Sequence, residues 1–249
     1  MSNDDQLKWR LLERLAHQIQ SEEATPDLTV TPNTRLKGGI SGRRRQVDVL
    51  VDARWDDGRE RRIIIDAKHR RRKIDIKQVE EFEGMMRDCG AKHGVIVCTS
   101  GHTDAALRRA QDAISIRLVL PEEIDQFDIS HWDDCRGSCC APGSKWSSTG
   151  LVLWDPPHGL AINDSPLSIV AVGKCDVCND FNIWCWDCGA KFALSSDDEK
   201  KCSCERFWLT ATEEEEDGSG SAVHLFLILL PTATNGPSVT IPVDRRRLS

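Results

Sequence analysis

At 249 residues, 39% of them hydrophobic, the chain can bury a substantial core and is read as two modest domains; its formal charge of −7 is a poor match to a nucleic-acid-binding protein until it is divided along the chain. The opening MSNDDQLKWR shows no basic-then-apolar signal region, and the apolar run Ala222 to Leu230, interrupted by His224, is far short of the ~20 residues that span a bilayer. A soluble cytoplasmic protein without membrane contact is expected, and in that setting eleven cysteines point to buried thiols and thiolate zinc sites before disulfides.

In chain order, Leu7, Leu11, Leu12, Leu15, Ala16 and Ile19 recur at helical spacing over residues 5–20, with Glu13 beside the apolar stripe. A Pro/Thr/Gly-rich stretch then holds a short strand around Leu28 to Thr31. QVDVLVDA alternates, so that Val47, Val49 and Val51 share one face and Asp48 and Leu50 the other. Asp57-Gly58 is a hairpin turn signal, which makes RIIIDAKH a second strand antiparallel to the first. Period two sets Ile64, Asp66 and Lys68 on one side of it and Ile63, Ile65 and Ala67 on the other, apolar enough for a central strand.

A helix is predicted over Ile76 to Cys89, with Ile76, Val79, Phe82, Met85 and Met86 facing the core and Gly90 as its stop. GVIVCTS follows as a buried strand, Thr103 to Ala113 as a helix and IRLVL as a further strand. The order is that of an α/β domain on a mixed sheet flanked by helices, filling residues 1–128. Residues 129–150 have linker composition but include Cys135, Cys139 and Cys140, and are read as an ordered lead into a β-rich domain over 151–249.

Residues 1–130 hold 23 Lys and Arg against 23 Asp and Glu, whereas residues 131–249 hold 10 against 17 and carry the whole net charge. In the balanced half the basic residues gather at Arg43 to Arg45 and at Lys68 to Lys73, clusters able to neutralise phosphates despite a domain total of zero.

Asp48 and Asp66 stand on neighbouring central strands, with Lys68 two residues after the second. Carboxylates a few ångströms apart repel one another and call for a counter-cation, and Mg²⁺ takes one or two carboxylates plus waters and phosphate oxygens. Such an ion polarises a phosphate and acidifies bound water, while an adjacent ammonium orients or deprotonates the nucleophile. An isolated D-x-K is common by chance and usually marks a surface ion pair, so the context decides. Here RQVDVLV, then IIIDAKH, then IDIKQVEEFEGMMRDCGAKHGVIVCTSGHTDAALRRA follow in the order and at the spacings of the Mrr-type restriction endonucleases of the PD-(D/E)xK superfamily, which residues 7–120 resemble.

That resemblance implies Asp48 and Asp66 as metal-binding carboxylates, Lys68 as the catalytic lysine, Glu13 on the first helix as a further acid with Glu22 and Glu23 as alternatives, and Gln78 pointing back at the site from the helix after the D-x-K strand. It implies a Mg²⁺-dependent endonuclease acting on double-stranded DNA, of restriction or defence type. A structure-selective nuclease of the Holliday-junction resolvase kind stands as an alternative on the same core, as does a DNA-binding protein on a relic nuclease fold. Cleavage of both strands calls for two active sites, which is compatible with a homodimer.

Downstream, Cys175, Cys178, Cys185 and Cys188 form two C-x-x-C knuckles, followed by the C-x-C of Cys202 and Cys204. Four thiolates complete tetrahedral Zn²⁺ and leave no open position, so the module resembles a structural zinc ribbon, with Ile183, Trp184, Phe192, Leu194 and Trp208 on strands around the metal. The six residues between the knuckles leave two other arrangements open: Cys175 and Cys178 with Cys202 and Cys204, or two ions that draw in Cys135, Cys139 and Cys140.

Overall fold

The structure is a computed structural model in which residues 27–68, 71–113, 116–121, 123, 132–146, 148–155, 158–162, 165–215, 220–229 and 239–248 are described. The chain divides into two compact units, Met1–His131 and Trp132–Ser249. Among the described residues no helix is long and apolar enough to cross a membrane.

The first unit is built on a five-stranded mixed sheet in the order β1 (Asp27–Lys37), β2 (Arg44–Arg54), β3 (Glu60–Lys68), β4 (His93–Cys98), β5 (Ile116–Val119). The first three strands are antiparallel and β3, β4 and β5 are parallel. The difference follows from the connections. Gly58, at φ 84°, lets the chain reverse between β2 and β3 within a few residues. Each parallel step is crossed by a helix, α1 (Ile76–Cys89) and then α2 (Asp104–Asp112).

Ile63, Ile64 and Ile65 are fully buried and every residue of β4 is buried, which is the signature of strands covered on both faces. On the face crossed by the helices, Leu50, Ile64 and Ile96 pack against Val79, Phe82 and Met86 of α1.

Three expectations need correction. β1 is far longer than Leu28 to Thr31, because it pairs with β2 along the whole of Asp27–Lys37; Pro32 is tolerated there because β1 is an edge strand of the sheet. The alternation of β2 is imperfect, since Val47 packs in the same cluster as Leu50 and Ile64, next to the Asn33–Asp48 rung that the β1–β2 ladder skips. Ile76 is 44% exposed and is not a core residue; it is the first residue of α1, and the fully buried Ile74 just before it fills the core. The rest of α1 matches its sequence, with Asp75 as N-cap in a reciprocal capping box with Gln78 and Gly90 closing the helix at φ 67°. The helix predicted over residues 5–20 lies outside the described residues.

The second unit is all strand apart from one 3-10 turn among the described residues. One antiparallel sheet holds β6 (Trp132–Asp134), β7 (Leu151–Trp154), β8 (His158–Ile162), β9 (Ser165–Cys175), β10 (Phe181–Cys185) and β11 (Lys191–Leu194) in the order β11-β10-β9-β7-β6, with β8 also on β9. A second sheet runs β12 (Glu199–Lys201), β13 (Phe207–Glu214), β14 (Ser221–Leu229), β15 (Val239–Arg247).

The inner faces of the two sheets share one core in which the fully buried Trp208 of β13 packs with Phe181 and Ile183 of β10 and with Leu225 and Leu227 of β14. The unit is therefore a two-sheet sandwich, larger than a zinc ribbon, and the chain is richer in sheet than the label α/β conveys. Residues 132–146, read from composition as part of a linker, begin this unit: β6 pairs with β7.

Candidate functional site

The β2–β3 ladder pairs Val49 with Ile65, and the next positions outward are Asp48 and Asp66. The two acids therefore stand opposite one another on adjacent strands. Parallel pairing sets Asp66 beside Ile96 and Lys68 beside Cys98, at the edge of the sheet where β3 and β4 both end. Asp48 Oδ2 accepts a 3.0 Å hydrogen bond from the Ala67 amide, which fixes its carboxylate across the end of β3. Lys68 Nζ and Asp66 Oδ2 form an ion pair in which the side chains are 27% and 14% exposed, so the pair is mostly withdrawn from water yet reachable.

Burial pushes the Asp66 carboxyl up from its ordinary value; the Lys68 ammonium opposes this, and the hydrogen bond and charge of Asp48 add to it. Two facing acids thus stand at one end of the strands, and only Asp66 is paired with the ammonium. A half-buried like-charge pair of this kind is relieved by a proton or by a cation.

The remaining expected site residues fare differently. Glu13, with Glu22 and Glu23, lies outside the described residues. Gln78 sits at the start of α1, where its Oε1 accepts from the Asp75 amide at 3.1 Å as half of the capping box. Its Nε2 is buried and has no hydrogen-bond partner among the described residues. The hollow beside it, about 290 Å³, is lined by Arg72, Lys73, Asp75, Lys77 and Glu81, and neither Asp66 nor Lys68 takes part in it. The structure thus gives Gln78 a helix-capping role, which its spacing from Asp75 allows and which the sequence reading did not assign.

Both basic clusters adjoin the same sheet edge, one leading into β2 and the other following β3. Arg43 and Arg44 are exposed, as are Arg71, Arg72 and Lys73, while His69 and Arg70 lie outside the described residues. Arg45 is not available in the same way: its Nε donates to Asp88 Oδ2 at 2.6 Å. Asp88, near the end of α1, also accepts from the amides of Ile40 (3.1 Å) and Ser41 (2.8 Å) and from the Ser41 hydroxyl (2.6 Å). The hydroxyl and amide of Ser41, together with Arg45, hold its carboxyl well below the usual range.

This clamp locks the loop that carries Arg43 and Arg44 onto α1. Gly38 is required for it, since a Cβ there would stand 2.3 Å from Asp88 Oδ1. Sequence reasoning missed Asp88; the Gly-Gly at the loop's start was the available signal, and only the fold shows what those glycines face.

In the second unit the cysteines gather into two groups, Cys135, Cys139, Cys175 and Cys178 in one and Cys185, Cys188, Cys202 and Cys204 in the other, with the sulfurs of each group all within 4.8 Å of one another. The single site drawn from Cys175, Cys178, Cys185 and Cys188 is not what forms. Phe181 to Trp184 of β10 lie between the knuckles and Cys185 ends the strand, and at about 3.3 Å per residue this extended strand holds its two ends roughly 13 Å apart, too far to share an ion.

Of the open arrangements, the structure produces the one with two groups. Cys140 is left out of both, exposed, with its Sγ directed at the Cys135 carbonyl. Cys89 and Cys98 are buried in the first unit, as packing residues.

Residues 5–127 match the family model Mrr_cat, described as restriction endonuclease. No curated protein matches the chain. Among solved structures, the protein of unknown function AF1548 aligns at 16% identity and a TM-score of 0.34 over 44% of this chain and 57% of its own. The DNA modification-dependent restriction endonuclease AspBHI aligns at 16% identity and a TM-score of 0.30 over 50% of this chain and 35% of its own. The chain spans little more than half of the first of these and about a third of the second.

Proposed function

Because residues 5–127 belong to the Mrr catalytic family of restriction endonucleases, we propose that the protein is a Mg²⁺-dependent endonuclease that hydrolyses phosphodiester bonds of double-stranded DNA. The observation that carries this reading is the opposition of Asp48 and Asp66 on β2 and β3 with Lys68 paired at the strand end.

The donor set fits a hard divalent ion. Two carboxylates meet one ammonium, the Asp66 carboxyl is pushed up by burial, Lys68 and Asp48 acting on it in opposite directions, and the available ligand atoms are oxygens. Asp48 and Asp66 would hold Mg²⁺, which when bound supplies positive charge to the scissile phosphate and lowers the pKa of a coordinated water.

The chain's own groups do the rest. The Ala67 amide keeps Asp48 turned toward Asp66. Lys68 Nζ, held by Asp66, places a positive charge where the attacking oxygen and the phosphate meet, orienting the nucleophile and offsetting charge that develops on the phosphate oxygens. Arg43, Arg44, Arg71, Arg72 and Lys73 border this edge and neutralise flanking phosphates. Glu13 would complete the acidic group, and Gln78 Nε2, which has no partner among the described residues, would supply a further donor beside it.

The test is incubation of the purified protein with methylated and unmethylated plasmids, and with linear and branched duplexes, in Mg²⁺ and in EDTA. Cutting of linear duplex in Mg²⁺ alone, lost in Asp66→Ala, is the expected result. Preference for branched DNA would favour the structure-selective reading, and cleavage unchanged in Asp66→Ala would overturn the site.

A further inference from the structure

We infer that the second unit holds two structural zinc ions, one in Cys135, Cys139, Cys175 and Cys178 and one in Cys185, Cys188, Cys202 and Cys204, so that the two adjacent C-x-x-C knuckles serve different ions. This rests on sulfur geometry and is independent of the nuclease reading.

A tetrahedral ion with Zn–S bonds of about 2.3 Å has sulfur–sulfur edges of about 3.8 Å. In the first group Cys135 and Cys178 are 3.7 Å apart, as are Cys139 and Cys175. In the second, Cys185 and Cys204 are 3.7 Å apart, with Cys202 and Cys204 closer at 3.0 Å. These separations exceed the ~2.05 Å of a disulfide, and a disulfide joins two sulfurs where each group gathers four.

The backbone is shaped for thiolates in both places. In each knuckle the residue after the second cysteine is left-handed, Asn179 at φ 67° and Gly189 at φ 72°, and its amide returns to the carbonyl of the first cysteine, Asn179 to Cys175 at 3.1 Å and Gly189 to Cys185 at 2.8 Å. The C-x-C arm repeats the turn, with Glu205 at φ 67° and its amide on Cys202 O at 2.9 Å.

Donors also point at the sulfurs themselves. The Gly137 amide reaches Cys135 Sγ at 3.1 Å, the Gly150 amide reaches Cys139 Sγ at 3.3 Å, and Arg206 Nη1 reaches Cys204 Sγ at 3.1 Å. Gly150 lies so close that a Cβ there would stand 2.1 Å from Cys175 Sγ. N–H groups directed at sulfur stabilise the deprotonated ligand that a metal requires.

Four thiolates close the coordination sphere, so these ions are structural and offer no position to a substrate. All-sulfur tetrahedra suit Zn²⁺ or iron, and zinc is assigned as the redox-inert ion. Each ion fastens parts of the chain that are remote in sequence. The first ties the segment after β6 to the β9–β10 turn. The second ties the β10–β11 turn of one sheet to the β12–β13 turn of the other, and Cys185 and Cys202 both line the sandwich core. The second ion therefore clips the two sheets together.

The experiment measures zinc and iron per full-length chain, purified without chelators, by elemental analysis and native mass spectrometry, with X-ray absorption at the zinc edge. Two zinc ions per chain, bonded to sulfur alone, are expected. One ion per chain, nitrogen or oxygen in the coordination sphere, or iron in place of zinc overturns the assignment.

Single variants then test the ligand sets. Cys178→Ser and Cys204→Ser should each lose one ion and retain the other, and Cys140→Ser should keep both. Loss of an ion in Cys140→Ser as complete as in Cys178→Ser refutes the first set. Should a variant fail to fold, thiol labelling of the native wild-type protein decides the same point: Cys140 is to react at once and the eight ligand thiols only after metal removal, and prompt labelling of any ligand thiol counts against the sites.

Discussion

Replacing Lys68 with Met tests the site at its most informative atom, because Nζ is the partner of Asp66 and, in the proposed function, the charge set beside the reacting phosphate. A positioned acid, base or charge of this kind contributes about 10²- to 10⁴-fold to rate, which corresponds to about 2.7–5.4 kcal/mol of barrier. Lys68→Met is expected to slow single-turnover plasmid nicking in saturating Mg²⁺ by that factor, while affinity for DNA in Ca²⁺ stays within a few-fold of wild type.

The same substitution leaves Asp66 without its cation. With the two side chains 27% and 14% exposed, losing the partner is expected to cost about 1–3 kcal/mol of metal-free stability at neutral pH. The sign with pH follows from the direction of the shift. The Asp66 carboxyl is pushed up by burial, and the Lys68 ammonium opposes that push. A carboxyl raised in the folded state favours folding at low pH, and that contribution is lost as pH rises through the folded pKa. Removing Lys68 raises Asp66 further, so the acid limb of the rate profile moves to higher pH and metal-free stability falls more steeply toward neutrality. Urea titrations in EDTA across the acid-to-neutral range read the second effect. A variant that cuts within tenfold of wild type, or whose acid limb moves to lower pH, refutes the assignment of Lys68.

Other consequences are open to measurement. Asp48→Asn and Asp66→Asn should each weaken Mn²⁺ binding by calorimetry and abolish cutting, and retained Mn²⁺ affinity in both would place the metal elsewhere. If Arg43 and Arg44 each neutralise one phosphate, as proposed, Arg43→Ala with Arg44→Ala should reduce the slope of log affinity against log salt by roughly 1.8, without changing the single-turnover rate at saturation. Asp88 is held below the usual carboxylate range by Ser41 and Arg45, so its contribution to stability is present above its ordinary value of 3.8 and lost as pH falls through its lower folded value; thermal melts of Asp88→Asn should show a flatter acid limb than wild type. Ile64→Ala, at a fully buried position facing α1, should cost about 2–5 kcal/mol in chemical denaturation and lower activity only through the folded fraction.

The nuclease core was legible in the sequence because its signals are local. Period-two patterning, a hairpin turn at Asp57-Gly58 and the stop of α1 at Gly90 act over a few residues each, and a strand by itself sets Asp66 and Lys68 two residues apart on one face. Adjacency of Asp48 and Asp66 followed once β2 and β3 were joined by a tight turn. What the sequence could not supply were partners separated by long stretches of chain, such as Asp88 reaching back across more than 40 residues to the loop of Ser41 and Arg45.

The cysteines show the same division most sharply. The spacing of the knuckles declared thiolate chemistry, but proximity in sequence pointed to a shared ion, and β10 runs between them. A turn there would have brought the four sulfurs together; an extended strand separates them, and each pair is completed by cysteines that only the pairing of β6 with β7 and the packing of the two sheets deliver.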